Sequence, residues 1–332
     1  MTDILEIYEI ANPPPDFLDD EPIGGNFYRA AGNREVPGFR FGFLVAERAG
    51  VRVAVVPFFI TDFKLNTMLD EGLLKRLIGK IGLRIACVGH PSASLGRIEG
   101  ELTAELLSRV VEVLKGYAPV VAIKGFDHDL PVPAGMVRIP GLPVAILPIR
   151  GNYWDQLKSK RRVNFRHKLT EAQALHFEVI ETLPPEWVDR IYGLYLNTYK
   201  KASVRFECLS RDYFVSTAPV CKYMTAFLND RLVGFVQILH KGDRMVAFYI
   251  GIEEGLDRRL GLYFAINLKV IDYAVANGCR ELELGETNYG FKKHLGSHLT
   301  QTWVYYTHRH AWANAVLARL AFLFMPSDKE LS

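Results

Sequence analysis

Residues 232–252 read LVGFVQILHKGDRMVAFYIGI, two apolar runs joined by Lys241-Gly242-Asp243. Branched and aromatic residues are typical of strands, and a glycine between polar residues is typical of a tight turn. A third run of the same kind, Tyr223–Leu228, precedes them and is joined to them by Asn229-Asp230. The three runs therefore predict an antiparallel meander.

A helix and another strand are predicted after the meander. The helix runs from Leu262 to about Asn277, and Gly278 has the position of a glycine that ends a helix. The strand is predicted over Cys279–Leu284, where polar and apolar residues alternate and Glu283 faces away from its two leucine neighbours. The second half thus has the order of meander, helix and strand.

The first 150 residues alternate strand and helix patterns, which predicts an α/β layer fold. Leu130–Pro148 is rich in proline and is interpreted as a linker or an edge strand. We therefore predict two units, residues 1–150 and 151–332. The remaining predicted elements are strands at Phe41–Glu47, Val51–Ile60, Leu83–Val88, Pro119–Ile123, Met136–Ile139, Val144–Leu147 and Trp303–Thr307, and helices at Met68–Gly79, Glu101–Lys115, Tyr153–Ala174, Pro185–Lys201 and Trp312–Met325.

The composition is that of an ordinary globular protein, with 332 residues, 49% hydrophobic and 23% charged. A net charge of +3 does not by itself argue for nucleic acid or a membrane. The cysteines are widely spaced, which fits neither a zinc site nor a disulfide framework, so no metal is expected. The acidic N-terminus and the lack of a long apolar run predict a cytoplasmic protein without stable membrane insertion.

An anion site is predicted at Asp257–Tyr263, which reads DRRLGLY. Cations at a helix start oppose the helix dipole unless an anion binds there, and the free N–H groups of a helix start suit a diphosphate. We expect Arg258, Arg259, Gly261 and Leu262 to bind the phosphates of a donor.

A second basic segment, residues 154–169, reads WDQLKSKRRVNFRHKL. Arg162 and Arg166 have the helical spacing that lets both grip one phosphate. The alternative is a basic helix face that only meets solvent.

These two segments and residues 282–296 (LELGETNYGFKKHLG) together resemble the BioF2-like and Fem-type (FemAB-like) branch of GNAT acyltransferases. The Arg258-x-x-Gly261 loop resembles the GNAT phosphate loop, with Tyr263 where glycine or alanine is usual. The resemblance implies an α/β (α+β) fold of tandem GNAT-like units, with mixed twisted sheets flanked by helices. It implies that the first unit is degenerate and the second active.

The resemblance also implies N-acylation of an amine or amino-acid-like acceptor by direct attack, with acyl-CoA as the donor. The donor carbonyl would lie against the backbone of residues 248–251, and no metal would take part. Proton transfer is assigned to Glu286, Glu283, Tyr289 and Tyr249, donor contact to Lys292, and substrate binding to Arg162, Arg166, Trp154 and Glu207.

Two other functions stay open. An aminoacyl-tRNA-dependent Fem-like transferase is favoured by the basic helix, although no long charged coiled-coil insertion is present. A non-catalytic GNAT-like binding protein is favoured by Tyr263. The apolar C-terminal helix is expected to dock on the core, with an oligomer contact or a membrane-surface contact as alternatives.

Overall fold

The structure is a computed structural model that describes residues 4–32, 36–64, 82–202, 206–256, 260–321, 325–326 and 331. Its strands are β1 (Leu5–Ile10), β2 (Phe39–Arg48), β3 (Val51–Lys64), β4 (Gly82–Val88), β5 (Glu99–Gly100), β6 (Val120–Phe126), β7 (Val137–Pro140), β8 (Val144–Pro148), β9 (His176–Ile180), β10 (Lys222–Leu228), β11 (Arg231–Lys241), β12 (Arg244–Ile252), β13 (Glu281–Gly285), β14 (His298–Thr300) and β15 (Trp303–His308). Its α-helices are α1 (Gly25–Ala30), α2 (Ala104–Tyr117), α3 (Tyr153–Gln156), α4 (Ser159–Glu171), α5 (Val188–Lys201), α6 (Arg211–Thr217), α7 (Leu262–Ala276), α8 (Tyr289–Leu295) and α9 (Ala311–Arg319).

The strands form two mixed sheets flanked by helices, as predicted. The first sheet has the order β1-β2-β3-β4-β6-β15-β7, with β5 paired to β3. The second has the order β14-β8-β13-β12-β11-β10-β9. The predicted meander is confirmed, because β10, β11 and β12 pair antiparallel in sequence order.

Each sheet contains one strand from the other side of residue 150 in the sequence. Strand β8 lies in the second sheet between β13 and β14, and β15 lies in the first sheet between β6 and β7. The interpretation of Leu130–Pro148 as a linker or edge strand is therefore wrong for β8. Residues 144–147 are all buried, so this strand has neighbours on both sides instead of an open edge. The boundary at residue 150 stays a prediction.

Several helix boundaries differ from the predicted ones. The helix predicted over Tyr153–Ala174 is two helices, because Leu157 and Lys158 have extended backbone and Leu157 is buried in the core. Helix α2 begins at Ala104, where the Thr103 hydroxyl caps it by accepting from the Leu106 N–H. Helix α9 ends at Arg319, earlier than predicted. The helix predicted over Met68–Gly79 lies outside the described residues.

The largest apolar cores lie on both faces of the second sheet. One surrounds α7 and contains Phe165 and Leu282. Another joins the two halves of the chain, since Phe41 and Phe59 of the first sheet are buried with Tyr195 and Phe235 of the second half. The two sheets therefore share a packed interior. None of the described helices is both long and apolar enough to cross a bilayer.

Strands β12 and β13 are parallel and pair over a short stretch only. Their paired positions are Arg244 with Glu281, Met245 with Leu282, and Val246 with Glu283. Beyond these positions β12 continues to Ile252 without pairing to β13. The backbone of β12 is therefore free of β13 on the side where the site lies.

We expect a fragment of residues 151–332 to show no cooperative urea unfolding by circular dichroism. The fragment lacks β8, which is the shared neighbour of β13 and β14. In the full chain, Leu147→Ala should lower the free energy of unfolding by about 2–5 kcal/mol. The exposed substitution Val163→Ala should change it by less than about 0.5 kcal/mol. A cooperative transition in the fragment would contradict this expectation.

Candidate active site

A cavity of about 530 Å³ lies between the two sheets, at the point where β12 and β13 separate. Both halves of the chain line it. Its charged lining residues are Lys124 from the first half and Glu207, Glu283, Glu286 and Lys292 from the second. The volume is that of a small-molecule site.

The wall formed by β12 contains a β-bulge. Val236 pairs with Ile250 and Ile238 pairs with Ala247, so β12 has an extra residue opposite Gln237. Bulges turn side chains and interrupt pairing, and they are common beside active sites. The bulge includes Tyr249, whose hydroxyl donates to Glu207 Oε1 at 2.7 Å.

The opposite wall is the end of β13, where the backbone is strained. Thr287 and Asn288 both have left-handed φ, +64° and +49°, which is costly for residues other than glycine. This turn directs Glu286 into the cavity and leads into α8, which carries Lys292. The Asn288 side chain donates to the Tyr263 hydroxyl at 3.1 Å, which links the turn to the start of α7.

The carboxylates have raised pKa values because they are removed from water. Burial raises the pKa of Glu207 to about 7, and Tyr249 and Lys124 partly oppose this. Burial also raises the pKa of Glu283 to about 7, opposed by Arg97. The pKa of Glu286 is raised by burial and lowered in part by Lys124 and Lys292. Groups with pKa values near neutrality are suited to accept and release protons.

The lysines come from opposite sides of the cavity. Burial lowers the pKa of Lys292 to about 7, while Glu286 and Glu283 oppose this. Its Nζ donates to the Glu286 main-chain oxygen at 2.5 Å. Lys124 lies on β6, and its Nζ donates to the Pro91 main-chain oxygen at 3.1 Å. Sequence reasoning missed Lys124; the available signal was a lysine that directly follows the apolar run 119–123.

The described part of the predicted anion site is the start of α7. Gly261 precedes the helix with φ +57°, and among the described residues no side-chain cap bonds the first N–H groups. However, Glu171 Oε2 lies 3.9 Å from the position a Cβ would take at Gly261. Leu262 is buried in the core, and its neighbour Tyr263 lines the cavity. Arg258 and Arg259 lie outside the described residues.

The structure brings Glu286, Glu283, Tyr249, Glu207 and Lys292 together, but places other predicted site residues elsewhere. Tyr289 is fully buried outside the cavity, and its hydroxyl donates to the Pro143 oxygen at 2.8 Å. That hydrogen bond gives Tyr289 a packing role instead of the predicted role in proton transfer.

Trp154, Arg162 and Arg166 also lie away from the described cavity wall. The Trp154 ring nitrogen donates to Asp272 Oδ1 of α7 at 3.1 Å. Arg162 turns back to the Leu157 oxygen at 3.1 Å, which removes it from the expected joint grip with Arg166. Arg166 is exposed. Any phosphate that these residues bind lies outside this cavity.

A family model supports the assignment of the second half. Residues 159–293 match the acetyltransferase (GNAT) domain. Residues 159–293 are a GNAT domain. The GNAT domain supports transferase activity. The separation of β12 from β13 leaves residues 248–251, against which the donor carbonyl is expected to lie, without pairing to β13. None of the curated proteins matches the chain.

Solved structures share the fold of this chain over most of its length. The C-terminal domain of a protein assigned as a lysylphosphatidylglycerol synthetase from Agrobacterium fabrum is 13% identical, with a TM-score of 0.55 and 92% of each chain covered. FemX is 12% identical, with a TM-score of 0.54 over 85% of this chain and 90% of its own. A tandem GNAT protein from the clavulanic acid biosynthesis pathway is 11% identical, with a TM-score of 0.54 over 92% and 98%. The tandem, Fem-like fold is thereby confirmed.

We expect Tyr289→Phe to lower the free energy of unfolding by about 1–2 kcal/mol, because the buried Pro143 oxygen loses its donor. Acyl transfer by the variant should stay within about twofold of the wild type at 25 °C. The exposed Tyr8→Phe is the matched control, with a stability change under about 0.5 kcal/mol. Loss of transfer at unchanged stability would restore Tyr289 as a proton carrier.

Proposed function

We propose that the protein transfers an acyl group from acyl-CoA to a primary amine held in the cavity between the two sheets. The observation that carries this proposal is the part of β12 that does not pair with β13, which faces buried and half-buried carboxylates and lysines across the cavity. Backbone N–H groups that pair with no neighbouring strand can stabilise the negative oxygen of an attacked carbonyl.

The open start of α7 supports a donor that carries phosphates. Helix N-termini bind phosphate through free N–H groups and the helix dipole. Tyr263, at this helix start, also lines the cavity. A donor bound by its phosphates at α7 would thus extend its acyl group along β12.

In the proposed reaction, Glu286 takes one proton from the acceptor ammonium. The amine nitrogen attacks the acyl carbon, so a C–N bond forms and the thioester C–S bond breaks. Lys292, in its neutral form, passes the second proton from the attacking nitrogen to the leaving sulfur. The products are an amide and a free thiol, and Glu286 releases its proton to water. The pKa of Lys292, lowered to about 7, suits this transfer.

An aminoacyl-tRNA donor is the second candidate, and helix α4 favours it. Lys158, Lys160 and Arg166 are all exposed on or beside this helix. Exposed cations on one helix attract a nucleic-acid backbone, and such binding weakens steeply with salt. If aminoacyl-tRNA is the donor, the protein should transfer the aminoacyl group from charged tRNA, and the rate of transfer should fall as the salt concentration rises.

We expect acyl transfer from acetyl-CoA to a panel of primary amines, measured by release of free thiol. Glu286→Gln should lower kcat at least 100-fold, because the carboxylate that accepts the proton is lost. Glu281→Gln is the matched control on the same strand, since Glu281 does not line the cavity. Equal rates for the two variants would end the assignment of Glu286. No transfer by the wild type or the control, from acetyl-CoA by thiol release or from charged tRNA by amide formation, would favour a non-catalytic binding protein.

A second test concerns the donor phosphates. We expect Glu171→Gln to lower the KM for acetyl-CoA about two- to fivefold, because the carboxylate beside Gly261 repels phosphate at the helix start. The matched control is Glu178→Gln on β9, which should leave KM unchanged. An unchanged KM in Glu171→Gln would place the donor phosphates elsewhere.

A further inference from the structure

One wall of the cavity combines aromatic rings with a carboxylate. Tyr195, Phe206, Phe248 and Tyr249 all line it together with Glu207. Tyr249 is edge-to-face with Tyr195 at 5.8 Å and with Phe248 at 4.8 Å between ring centroids. The Tyr249 hydroxyl donates to Glu207 Oε1, so the carboxylate lies beside the rings, and Lys124 Nζ lies 5.6 Å from the Phe206 ring centroid.

The cavity also has more negative than positive groups. Its described lining contains three carboxylates and two ammonium groups, at Glu207, Glu283, Glu286, Lys124 and Lys292. Lys124 and Lys292 each donate to a main-chain oxygen, Pro91 and Glu286 respectively. Among the described residues, no ion pair joins a lysine to a carboxylate in this set. When all five groups are ionised, the cavity carries one net negative charge, and it carries two when Lys292 is neutral.

We infer that the wall around Glu207 binds the acceptor's ammonium group, and that the acceptor is an amine on an apolar chain without a carboxylate of its own. This inference rests on the proposed function and names its substrate class. A carboxylate beside aromatic rings is the chemistry that recognises an ammonium ion, since ring faces attract cations. An α-carboxylate on the acceptor would add to the surplus of negative charge.

The apolar chain follows from the rest of the lining. Phe59, Ile85, Val236, Val246 and Ile250 face the same cavity. These apolar side chains can pack against the polymethylene or aromatic part of an amine and form no hydrogen bonds with it. The apolar lining therefore favours an acceptor with an apolar carbon chain, and Glu207 favours one with a positively charged ammonium group.

Isothermal titration of the full chain with n-hexylamine, 1-hexanol and 6-aminohexanoate tests this inference without any donor. At pH 8, hexylamine should bind at least tenfold more tightly than either of the other two. Glu207→Gln should weaken hexylamine binding at least tenfold and leave hexanol unchanged. Tyr249→Phe, which keeps the ring and removes the hydroxyl, should weaken hexylamine binding less than Glu207→Gln does. Equal binding of hexylamine and hexanol by the wild type would overturn the inference.

The wild type offers a second measurement that needs no variant. Glu207 has Lys124, Glu286, Tyr195, Tyr213 and Tyr249 as its titratable surroundings. Because the folded pKa of Glu207 is raised to about 7, hexylamine affinity should fall as pH decreases from 8 to 5.5. Hexanol affinity should stay constant over that range. A pH-independent hexylamine affinity would contradict the role of Glu207.

The binding test and the transfer assay can contradict the ammonium site and the proposed function independently of each other. Hexylamine binding that depends on Glu207, without thiol release from any donor, would sink the proposed function and leave the ammonium site standing. Thiol release with amines that bind no better than alcohols would support the proposed function and contradict the ammonium site.

Discussion

Strands β12 and β13 share only the positions from Arg244–Glu281 to Val246–Glu283 before they part. Longer pairing would use the β12 N–H and C=O groups within the sheet and close the space between the strands. Because pairing stops early, the backbone of β12 borders a cavity, and the next turn of the chain can point Glu286 into it. The bulge at Tyr249 belongs to the same constraint, since it disrupts regular pairing on the other side of β12.

The cavity keeps ionisable groups in an environment that opposes their charged forms. Burial shifts the pKa values of Glu207 and Lys292 toward each other, both to about 7. Either group can therefore gain or lose a proton at little cost near neutral pH. The strained backbone at Thr287 and Asn288 is a further cost, and the surrounding packing, including the buried Tyr289 behind it, supports that strain.

Local sequence patterns predicted the positions of strands and helices better than they predicted which strands pair with each other. The meander and α7 follow from residue types and turn signals within about 70 residues, so the sequence predicted them. The exchange of β8 and β15 depends on contacts between residues more than 100 positions apart, which no local pattern records. The carboxylates of the cavity were predicted because Glu283 lies in β13, Glu286 directly follows it, and Glu207 follows α5 in the second half.

Lys124 was missed because it reaches the cavity from the first sheet. Like the exchange of β8 and β15, this position depends on contacts between distant parts of the chain, which no local pattern records. Arg162 and Tyr289 are predicted site residues that lie away from the cavity, and the cause differs from that for Lys124. Spacing indicates that Arg162 and Arg166 share a helix face, but the hydrogen bond of Arg162 to Leu157 depends on the break between α3 and α4. The buried partner of Tyr289, Pro143, lies at a distance of 146 residues along the chain.

The exchanged strand β15 has a consequence for synthesis on the ribosome. The first sheet needs residues 303–308 to fill the gap between β6 and β7, so its N-terminal part emerges long before its last neighbour is made. Until then, the edge of β6 has no β15 to pair with, and an unpaired strand edge is a template for association with other chains. Nascent chains of this protein should therefore depend on chaperones until residues 303–308 have left the exit tunnel.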